Sequence, residues 1–246
     1  KSLNPRHGSH RCRATDEDFF IRFLCIEMIT VGGNIMQWVS CALIGYLIGN
    51  INPAFIISKL KGFDIRERGS GNAGASNAVI TMGKRAGLFI ALFDISKGII
   101  ASLIGIHLFP QINCAKILSG SFCILGHIFP FLMKFHGGKG LASLAGVILA
   151  FNPHLFLVML LFEIVLGFSV DYVCVVPISG SVIFTIVYAF MTGDPFGTVL
   201  LATVSLVILY KHIENINRIL EGKEAHISFL WHKEQEIARL TKNTEA

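Results

Sequence analysis

Long apolar runs that are nearly free of charge alternate along the chain with short polar loops rich in glycine and basic residues. About 20 apolar residues are enough for a helix to cross the hydrocarbon layer of a bilayer. Seven such runs can be drawn as crossings, although the fourth and the last are short for a full span. Their approximate bounds are 36–58, 86–109, 115–133, 141–151, 154–170, 172–191 and 196–210. The pattern predicts an all-α integral membrane protein with about seven transmembrane helices.

The segments that flank these crossings are predicted to differ from them. Residues 1–35 are polar, mixed in charge and without clear periodicity, so we expect a disordered or non-native N-terminal extension. Residues 36–225 contain all the crossings and form the predicted membrane domain, and residues 226–246 form a C-terminal tail. Apolar residues recur at helical spacing within 213–220, which predicts an amphipathic helix at the membrane interface.

Basic residues in the loops predict the orientation of the chain. Lysine and arginine crowd the loops after the first and third crossings and the segment after the seventh, whereas the alternate loops carry Lys116 and almost nothing else. Short cytoplasmic loops of membrane proteins carry an excess of these two residues. We therefore expect a cytoplasmic C-terminus and an N-terminus outside.

Composition supports a membrane protein and argues against several other classes. The chain is 53% hydrophobic and 15% charged, below the charged fraction of about 25% that is usual in soluble domains. The net charge of +5 does not indicate nucleic acid binding, because the basic residues cluster beside the ends of apolar segments. The six cysteines include no Cys-x-x-Cys pair, and neither a metal nor an organic cofactor is expected.

The loop after the first crossing combines glycines with hydroxyl and amide side chains. Glycines expose backbone N–H groups, which can form a nest for an anion such as phosphate. Four flanking basic residues would add attraction for a dianion, namely Arg66, Arg68, Lys84 and Arg85. The alternative is a flexible loop without a ligand, and the spacing of a Walker A motif is absent. The candidate phosphate-binding residues of the loop are Gly69, Ser70, Gly71, Asn72, Gly74 and Asn77.

Two opposite charges, Asp94 and Lys97, lie inside the second crossing. Residues three apart share one face of a helix, and a charge within a membrane is costly unless it is paired or faces a wet cavity. One interpretation is a neutralising pair that only specifies packing. In the other, both residues line a substrate site and orient the glycine loop.

A lysine among glycines follows the third crossing, in the run Gly137, Gly138, Lys139 and Gly140. Few side chains screen its ammonium group, which can therefore approach a phosphate. The alternative is an anchor whose charged end reaches the membrane surface.

A polar stripe follows the last crossing, because His212, Asn215 and Arg218 are three residues apart and share one helical face. Imidazole, amide and guanidinium groups can bind a phosphorylated substrate or stabilise an oxyanion. As isolated residues they would be an ordinary polar interfacial face. The chain lacks the Gly-x-Ser-x-Gly, His-Glu-x-x-His and His-x4-Asp patterns, which disfavours serine hydrolases, zinc proteases and soluble-type acyl-CoA acyltransferases.

Together these segments resemble the membrane-bound acyl-phosphate:glycerol-3-phosphate acyltransferases, whose three motifs are similar to residues 69–97, 126–143 and 212–224. The resemblance implies a seven-helix acyltransferase domain in the bacterial cell membrane with a cytoplasmic active site. It implies transfer of a fatty acyl group from acyl phosphate to the 1-hydroxyl of glycerol 3-phosphate, giving lysophosphatidic acid in the first step of phospholipid synthesis. The implied partners are membrane lipids and a soluble upstream enzyme that makes acyl phosphate.

By position, the resemblance carries the family's motif residues over to Ser70, Asn72, Asn77, Lys139, His212 and Asn215. Of these we expect Ser70, Lys139, His212 and Asn215 to be catalytic, and we expect the other candidates named above, together with Lys84, to bind substrate. In this family an arginine is usual where this chain has Ile80, and a basic residue is usual near His226. Two alternatives stay open at this point. One is a diverged paralogue that acts on another polyol phosphate or is inactive. The other is a transporter of an anionic metabolite, because broken segments and buried charges also occur along permeation routes.

Overall fold

The computed structural model describes residues 35–224 together with His226 and Ile227. Within this part of the chain all regular elements are helical, which confirms the predicted all-α class. Two 3-10 turns, Ile65–Glu67 and Phe131–Met133, lie in loops between the helices. The predicted extension, up to residue 34, and residues 228–246 of the predicted tail lie outside the described residues. The nine α-helices of the described residues are α1 Ile35–Asn50, α2 Pro53–Leu60, α3 Ala75–Met82, α4 Lys84–Leu108, α5 Ala115–Ile128, α6 Leu141–Phe151, α7 Pro153–Val170, α8 Val175–Thr192 and α9 Pro195–Leu220.

Six stretches of the described chain are long and apolar enough to cross a membrane. The fourth predicted crossing is α6, which has only 11 residues and is about 16 Å long, roughly half the thickness of the hydrocarbon layer. Lys116 Nζ donates a hydrogen bond of 3.0 Å to the carbonyl of Ala150, near the C-terminal end of α6. A lysine there complements the negative end of the helix dipole. The six stretches are Ile35–Leu60, Lys84–Leu108, Ala115–Met133, Pro153–Val170, Val175–Thr192 and Pro195–Leu220.

The first crossing is broken between α1 and α2. Pro53 has no N–H, so the carbonyl of Gly49 cannot make its normal helical hydrogen bond. Asn52 caps α2 by accepting a hydrogen bond of 2.9 Å from the N–H of Phe55. Lys97 Nζ then donates to the carbonyls of Gly49 and Ile51, at 3.2 and 3.0 Å. The break is therefore stabilised by a side chain from α4.

The last crossing is longer than expected. Helix α9 continues to Leu220, and its end is marked by Gly222 with a φ of 67°. The prediction of a separate interfacial helix within 213–220 is wrong, because those residues extend α9. No glycine or proline lies between 198 and 221, so nothing in the backbone stops the helix near residue 210.

Small residues let the helices at the centre approach closely. Helix α1 packs against α5, while α4 packs against α1, α5 and α6. A Cβ atom on Gly49 would clash with the backbone of Cys123, and one on Gly146 would clash with the carbonyl of Ile95. In a bilayer, where burial of apolar surface drives helix association only weakly, such close backbone packing supplies much of the attraction.

The contact at Gly49 gives a testable difference between two helical glycines. Gly49→Ala should lower the unfolding temperature in detergent, because the new Cβ meets backbone atoms of Cys123, and such overpacking costs about 1–3 kcal/mol. Gly180→Ala in α8 is the matched control, because its nearest contact would be 3.4 Å from Glu163 Oε1. Its stability should be unchanged or slightly higher, since alanine is the better helix former. Equal unfolding temperatures for the two variants would contradict the close packing of α1 on α5.

Candidate active site

A cavity of about 470 Å³ lies where the three polar segments meet. Of the predicted site residues, Ser70, Gly71, Asn72, Gly137 and Lys139 line it. Segments far apart in sequence are thus brought to one place, as the predicted shared site requires. Among the described residues, the lining consists of Asp64, Arg66, Glu67, Ser70, Gly71, Asn72, Lys134, His136, Gly137, Lys139, Lys211 and Glu214.

The glycine loop is held from behind by Asn77, which is fully buried. Its Oδ1 accepts a hydrogen bond of 2.9 Å from the N–H of Ser70, and its Nδ2 donates to the carbonyls of Ile65 and Arg68, each at 2.9 Å. Gly69 has a φ of 60°, and a Cβ on it would clash with the Asn77 amide. Asn77 therefore shapes the loop and does not itself line the cavity, whereas Ser70, Gly71 and Asn72 do.

Two further glycines of the predicted set, Gly74 and Gly140, connect cavity-lining loops to the helices that follow them. Gly74 is the residue that precedes α3, and a Cβ on it would lie 2.9 Å from Nδ2 of Asn72. Gly140 precedes α6 with a φ of 94°, a conformation that other residues rarely adopt. Both allow a helix to start directly after a cavity-lining loop.

Arg66 connects the first loop to the second. Its Nε and NH2 groups pair with the two oxygens of Asp64, at 3.0 and 2.7 Å, while NH1 donates to the carbonyl of Met133 at 2.9 Å. The hydrogen bond from Arg66 is the main reason why the pKa of Asp64 lies well below its usual range. Lys59 Nζ is also 3.1 Å from this carboxylate. Asp64 therefore stays ionised and fixes Arg66 at the cavity.

The second loop rests on His127 of α5. The N–H groups of Gly137 and Gly138 donate to the carbonyls of Ile128 and His127, each at 3.1 Å. Side chains at these two positions would clash with His127, so only glycine allows the loop to lie so close to α5. The next residue, Lys139, reaches the cavity and donates a hydrogen bond to Asn215 Oδ1.

Burial lowers the pKa of Lys139, and the nearby guanidinium of Arg218 lowers it further. The carboxylates of Glu224 and Glu214 act in the opposite direction. The result is a lysine that holds its proton less firmly than an exposed one.

The third segment forms a network of hydrogen bonds beside Lys139. Asn215 Nδ2 donates to Glu224 Oε1 at 2.6 Å, and Arg218 Nε donates to Glu224 Oε2 at 2.7 Å. Arg218 NH1 also pairs with Glu214 at 2.5 Å. One carboxylate, Glu224, thus orients both an amide and a guanidinium of the predicted polar stripe.

His212 is buried one turn before Asn215. Its Nδ1 lies 2.7 Å from the carbonyl of Ile208. Because a carbonyl only accepts hydrogen bonds, Nδ1 carries a hydrogen. In the neutral ring, Nε2 then has the lone pair and can accept a proton.

Asp94 and Lys97 do not line the cavity. Both are almost completely buried, and the Lys97 ammonium lies 2.8 Å from Asp94 Oδ1 and 2.8 Å from His127 Nδ1. Through His127 the pair supports the second loop, and through Lys97 it supports the break in the first crossing. We therefore assign both residues a positioning role, which combines the packing and orienting interpretations. Lys84 is exposed at the start of α4 and is also not part of the cavity lining.

Comparison with known proteins identifies the family to which the chain belongs. A family model described as glycerol-3-phosphate acyltransferase matches residues 39–222. The chain belongs to this family. The glycerol-3-phosphate acyltransferase of Bacillus subtilis (strain 168) is 35% identical over 189 residues, covering 76% of this chain and 96% of the relative. That of Listeria monocytogenes is 38% identical over 193 residues, covering 77% and 96%.

Solved structures of the family agree with the fold. The crystal structure of PlsY (YgiH), an integral membrane glycerol 3-phosphate acyltransferase, in its glycerol 3-phosphate form matches with a TM-score of 0.71 and 32% identity, covering 78% of this chain and 96% of that chain. Its lysophosphatidic acid form matches with a TM-score of 0.69. The chain is thus a multi-pass membrane protein of the glycerol-3-phosphate acyltransferase family.

Several residues of the site, including Arg66 and Glu224, were not among those predicted from the sequence. In the sequence Arg66 is one of several basic residues near the glycine loop, and the signal that it is held in place is Asp64, two residues before it. Glu224 was noted only as the end of the third motif, and its contacts with Asn215 and Arg218 follow from the turn after α9. Ile80, where the family usually has arginine, is 60% exposed on α3 and is not part of the cavity lining.

The role of Asn77 can be tested by mutation. Asn77→Ala removes three hydrogen bonds and leaves buried backbone groups unpaired, which should destabilise the protein by on the order of 2 kcal/mol. Ser76→Ala, at the adjacent exposed position, is the control and should be neutral. Thermal unfolding in detergent micelles measures the difference. If the two variants unfold at the same temperature, Asn77 does not shape the loop.

Proposed function

We propose that this protein transfers a fatty acyl group from acyl phosphate to the 1-hydroxyl of glycerol 3-phosphate, forming lysophosphatidic acid and releasing phosphate. The observation that carries the proposal is the single cavity in which Lys139 and the glycine loop of Ser70 meet. Support for the acceptor comes from the relatives that are named glycerol-3-phosphate acyltransferases and from the glycerol 3-phosphate form of PlsY.

The charges of the cavity suit a phosphate dianion. Four basic side chains line it, and of its three carboxylates Asp64 is already paired with Arg66 and Lys59. The other basic residues at the cavity are Lys134, Lys139 and Lys211. The N–H groups of Ser70 and Gly71 donate within the loop, to Asn77 Oδ1 and to the carbonyl of Arg68. The uncharged donors that the loop adds at the cavity are therefore side chains, the hydroxyl of Ser70 and the amide of Asn72, which are short and cost little to order.

The reaction needs no covalent acyl-enzyme. An acyl phosphate is a mixed anhydride, so the 1-hydroxyl can attack its carbonyl carbon directly. The new C–O bond forms, the anhydride C–O bond breaks, and the electron pair leaves with phosphate. Holding the two substrates against each other then supplies much of the rate. Ser70, Lys139 and Asn215 are the groups proposed to bind phosphate and the oxyanion.

The proton of the attacking hydroxyl has two candidate acceptors. His212 is one, because its Nδ1 is occupied by Ile208 and Nε2 has the lone pair. The other is the phosphate of the substrate itself. Replacing His212 with glutamine separates them, since activity that survives the change points to the phosphate.

The proposed setting is the bacterial cell membrane, with the cavity open to the cytoplasm. The basic loops that surround the cavity favour this orientation by the positive-inside rule. Acyl phosphate would be supplied there by a soluble enzyme, and the acyl chains of donor and product would lie among membrane lipids. Accessibility labelling of a cysteine introduced at Lys61 from either side of the membrane tests the orientation.

The function is tested by turnover in reconstituted vesicles. Glycerol 3-phosphate is offered with palmitoyl phosphate or palmitoyl-CoA, and lysophosphatidic acid is followed by mass spectrometry. Product should form from the acyl phosphate alone, and Lys139→Ala should lower kcat/KM by about 10²–10³ through loss of a charged contact with the reacting groups. Lys61→Ala, an exposed lysine outside the cavity, should behave as the wild type.

Failure of this test has a clear meaning. No product from either donor, in protein that unfolds cooperatively, would contradict the proposal and direct attention to other polyol phosphates. Uptake of glycerol 3-phosphate into the same vesicles without product would instead show a transporter.

The lowered pKa of Lys139 predicts a pH dependence. The charged ammonium binds phosphate, so the KM for glycerol 3-phosphate should rise as pH increases through this pKa, below the usual value of about 10.4 for lysine. Between the two pKa values the unfolded chain binds more protons than the folded one, so stability should rise with pH in the same window. KM measured from neutral pH to about pH 10 tests the first effect.

Lys139→Arg is the control for this titration. A guanidinium stays charged over the whole range, so its KM should not rise with pH even if its activity is lower. The same alkaline rise in KM for both proteins would mean that another group titrates.

A further inference from the structure

The chain turns back after α9 and contacts the turn between α7 and α8. The N–H of Ile227 donates a hydrogen bond of 3.0 Å to the carbonyl of Asp171. His226 Nε2 lies 3.1 Å from the hydroxyl of Tyr172, and their rings meet edge to face with centroids 4.9 Å apart. His226 Nδ1 is also 3.7 Å from Asp171 Oδ2. We call these four residues, Asp171, Tyr172, His226 and Ile227, the C-terminal latch.

The α7–α8 turn contains a residue in the left-handed conformation and packs closely against the returning chain. Asp171 ends α7 in the left-handed conformation with a φ of 61°, and its N–H donates to the carbonyl of Gly167 at 2.8 Å. A non-glycine residue keeps such a conformation only when its surroundings hold it there. A Cβ on Gly167 would lie 3.4 Å from Ile227 Cδ1, so the last turn of α7 and the returning chain fit closely.

The latch is adjacent to the active site along the chain. Glu224 lies two residues before His226, and its carboxylate holds Asn215 at 2.6 Å and Arg218 at 2.7 Å. Asn215 in turn accepts the hydrogen bond from Lys139. The chain from the latch back to Glu224, and then the hydrogen bonds of Glu224 and Asn215, therefore connect the α7–α8 turn to the ammonium group in the cavity.

Glu224 is held from both sides. Its own N–H donates to the carbonyl of Arg218 at 3.1 Å, in the turn that ends α9. On the other side the latch fixes the chain two residues later. Without the latch, the segment that carries Glu224 would lose its contacts with the α7–α8 turn, and the Glu224 carboxylate would sample more positions. Small displacements of a group that orients substrate contacts are costly for the rate.

We propose that His226 and Tyr172 are positioning residues of the acyltransferase site: by docking the chain after α9 onto the α7–α8 turn, they keep Glu224 where it orients Asn215 and Arg218. The inference rests on the proposed function, because Asn215 is one of the groups proposed there to bind phosphate. Neither residue is required to touch the substrate.

Kinetics of the reconstituted protein test the positioning role. His226→Ala and Tyr172→Phe should each raise the KM for glycerol 3-phosphate by about fivefold, the scale of one lost hydrogen bond, while the KM for palmitoyl phosphate stays unchanged. The double variant should be no worse than His226→Ala alone, because both changes remove the same contact. His226→Gln should recover most of the affinity, since its amide can still reach the Tyr172 hydroxyl.

Lys223→Ala is the matched control. Lys223 lies in the same segment, and its exposed ammonium pairs with Glu221 at 3.1 Å, outside both the latch and the cavity. Its KM values should equal those of the wild type. If His226→Ala changes both KM values equally, or only the unfolding temperature, the role is general stability and the proposal is overturned.

A second measurement does not depend on activity. Cys174 is buried directly before α8, two residues after Tyr172 of the latch. Opening of the latch should expose it, so His226→Ala should increase the rate at which a maleimide labels Cys174, followed by peptide mass spectrometry. Unchanged labelling together with an unchanged KM would overturn the latch.

The two measurements separate the proposals. Suppose that the wild type shows no turnover but His226→Ala increases labelling. The proposed function and the positioning role are then both wrong, while the latch is confirmed as a structural contact. If the wild type is active and labelling rises without a change in KM, the proposed function stands and the positioning role is wrong.

Discussion

The rest of the structure depends on the buried ammonium group of Lys97. An unpaired charge at this depth would be very unfavourable, and here it lies 2.8 Å from Asp94 and 2.8 Å from His127. It also donates to the two carbonyls exposed where the first crossing breaks. One cation thus joins α1, α4 and α5. Two asparagines lie at the break that Lys97 stabilises. Asn50 accepts a hydrogen bond of 2.7 Å from the N–H of Phe131, and Asn52 donates one of 2.9 Å to the carbonyl of Ala73.

Those two asparagines connect the interior of the bundle to both loops at the cavity. Asn52 reaches the glycine loop and Asn50 reaches the segment before Lys139, so the positions of the loops follow from the position of the break. Small residues at Gly98 and Gly146 let α6 pack against α4 as a short buried helix. Because α6 starts directly after Gly140, its positive N-terminal end lies beside Lys139 and adds to the attraction for an anion.

The sequence was enough to predict the class of fold, and it pointed to the three polar segments that meet at the cavity. The lipid bilayer requires apolar runs long enough to cross it, so these runs can be recognised in the sequence. Glycines beside basic residues are a local sequence pattern that indicates an anion-binding loop. What the sequence did not show depends on contacts between distant residues. The break at Pro53 lies inside an apolar run, Asn77 has the amide expected of a ligand but faces the loop, and Arg66 is fixed through a carbonyl of the second loop. Glu224 becomes part of the site only because the chain folds back after α9.

The donors used in these contacts also determine what the cavity can bind. Arg66 has five N–H groups, of which its bonds to Asp64 and Met133 use three. Lys139 has three, and Asn215 accepts one of them. Each cation is therefore held in place by part of its donors while the others are available to a phosphate. A site built in this way is ordered before the substrate arrives, so little binding energy is lost in ordering long side chains. The same scaffold that makes the buried charges tolerable thus prepares the cavity for an anionic substrate.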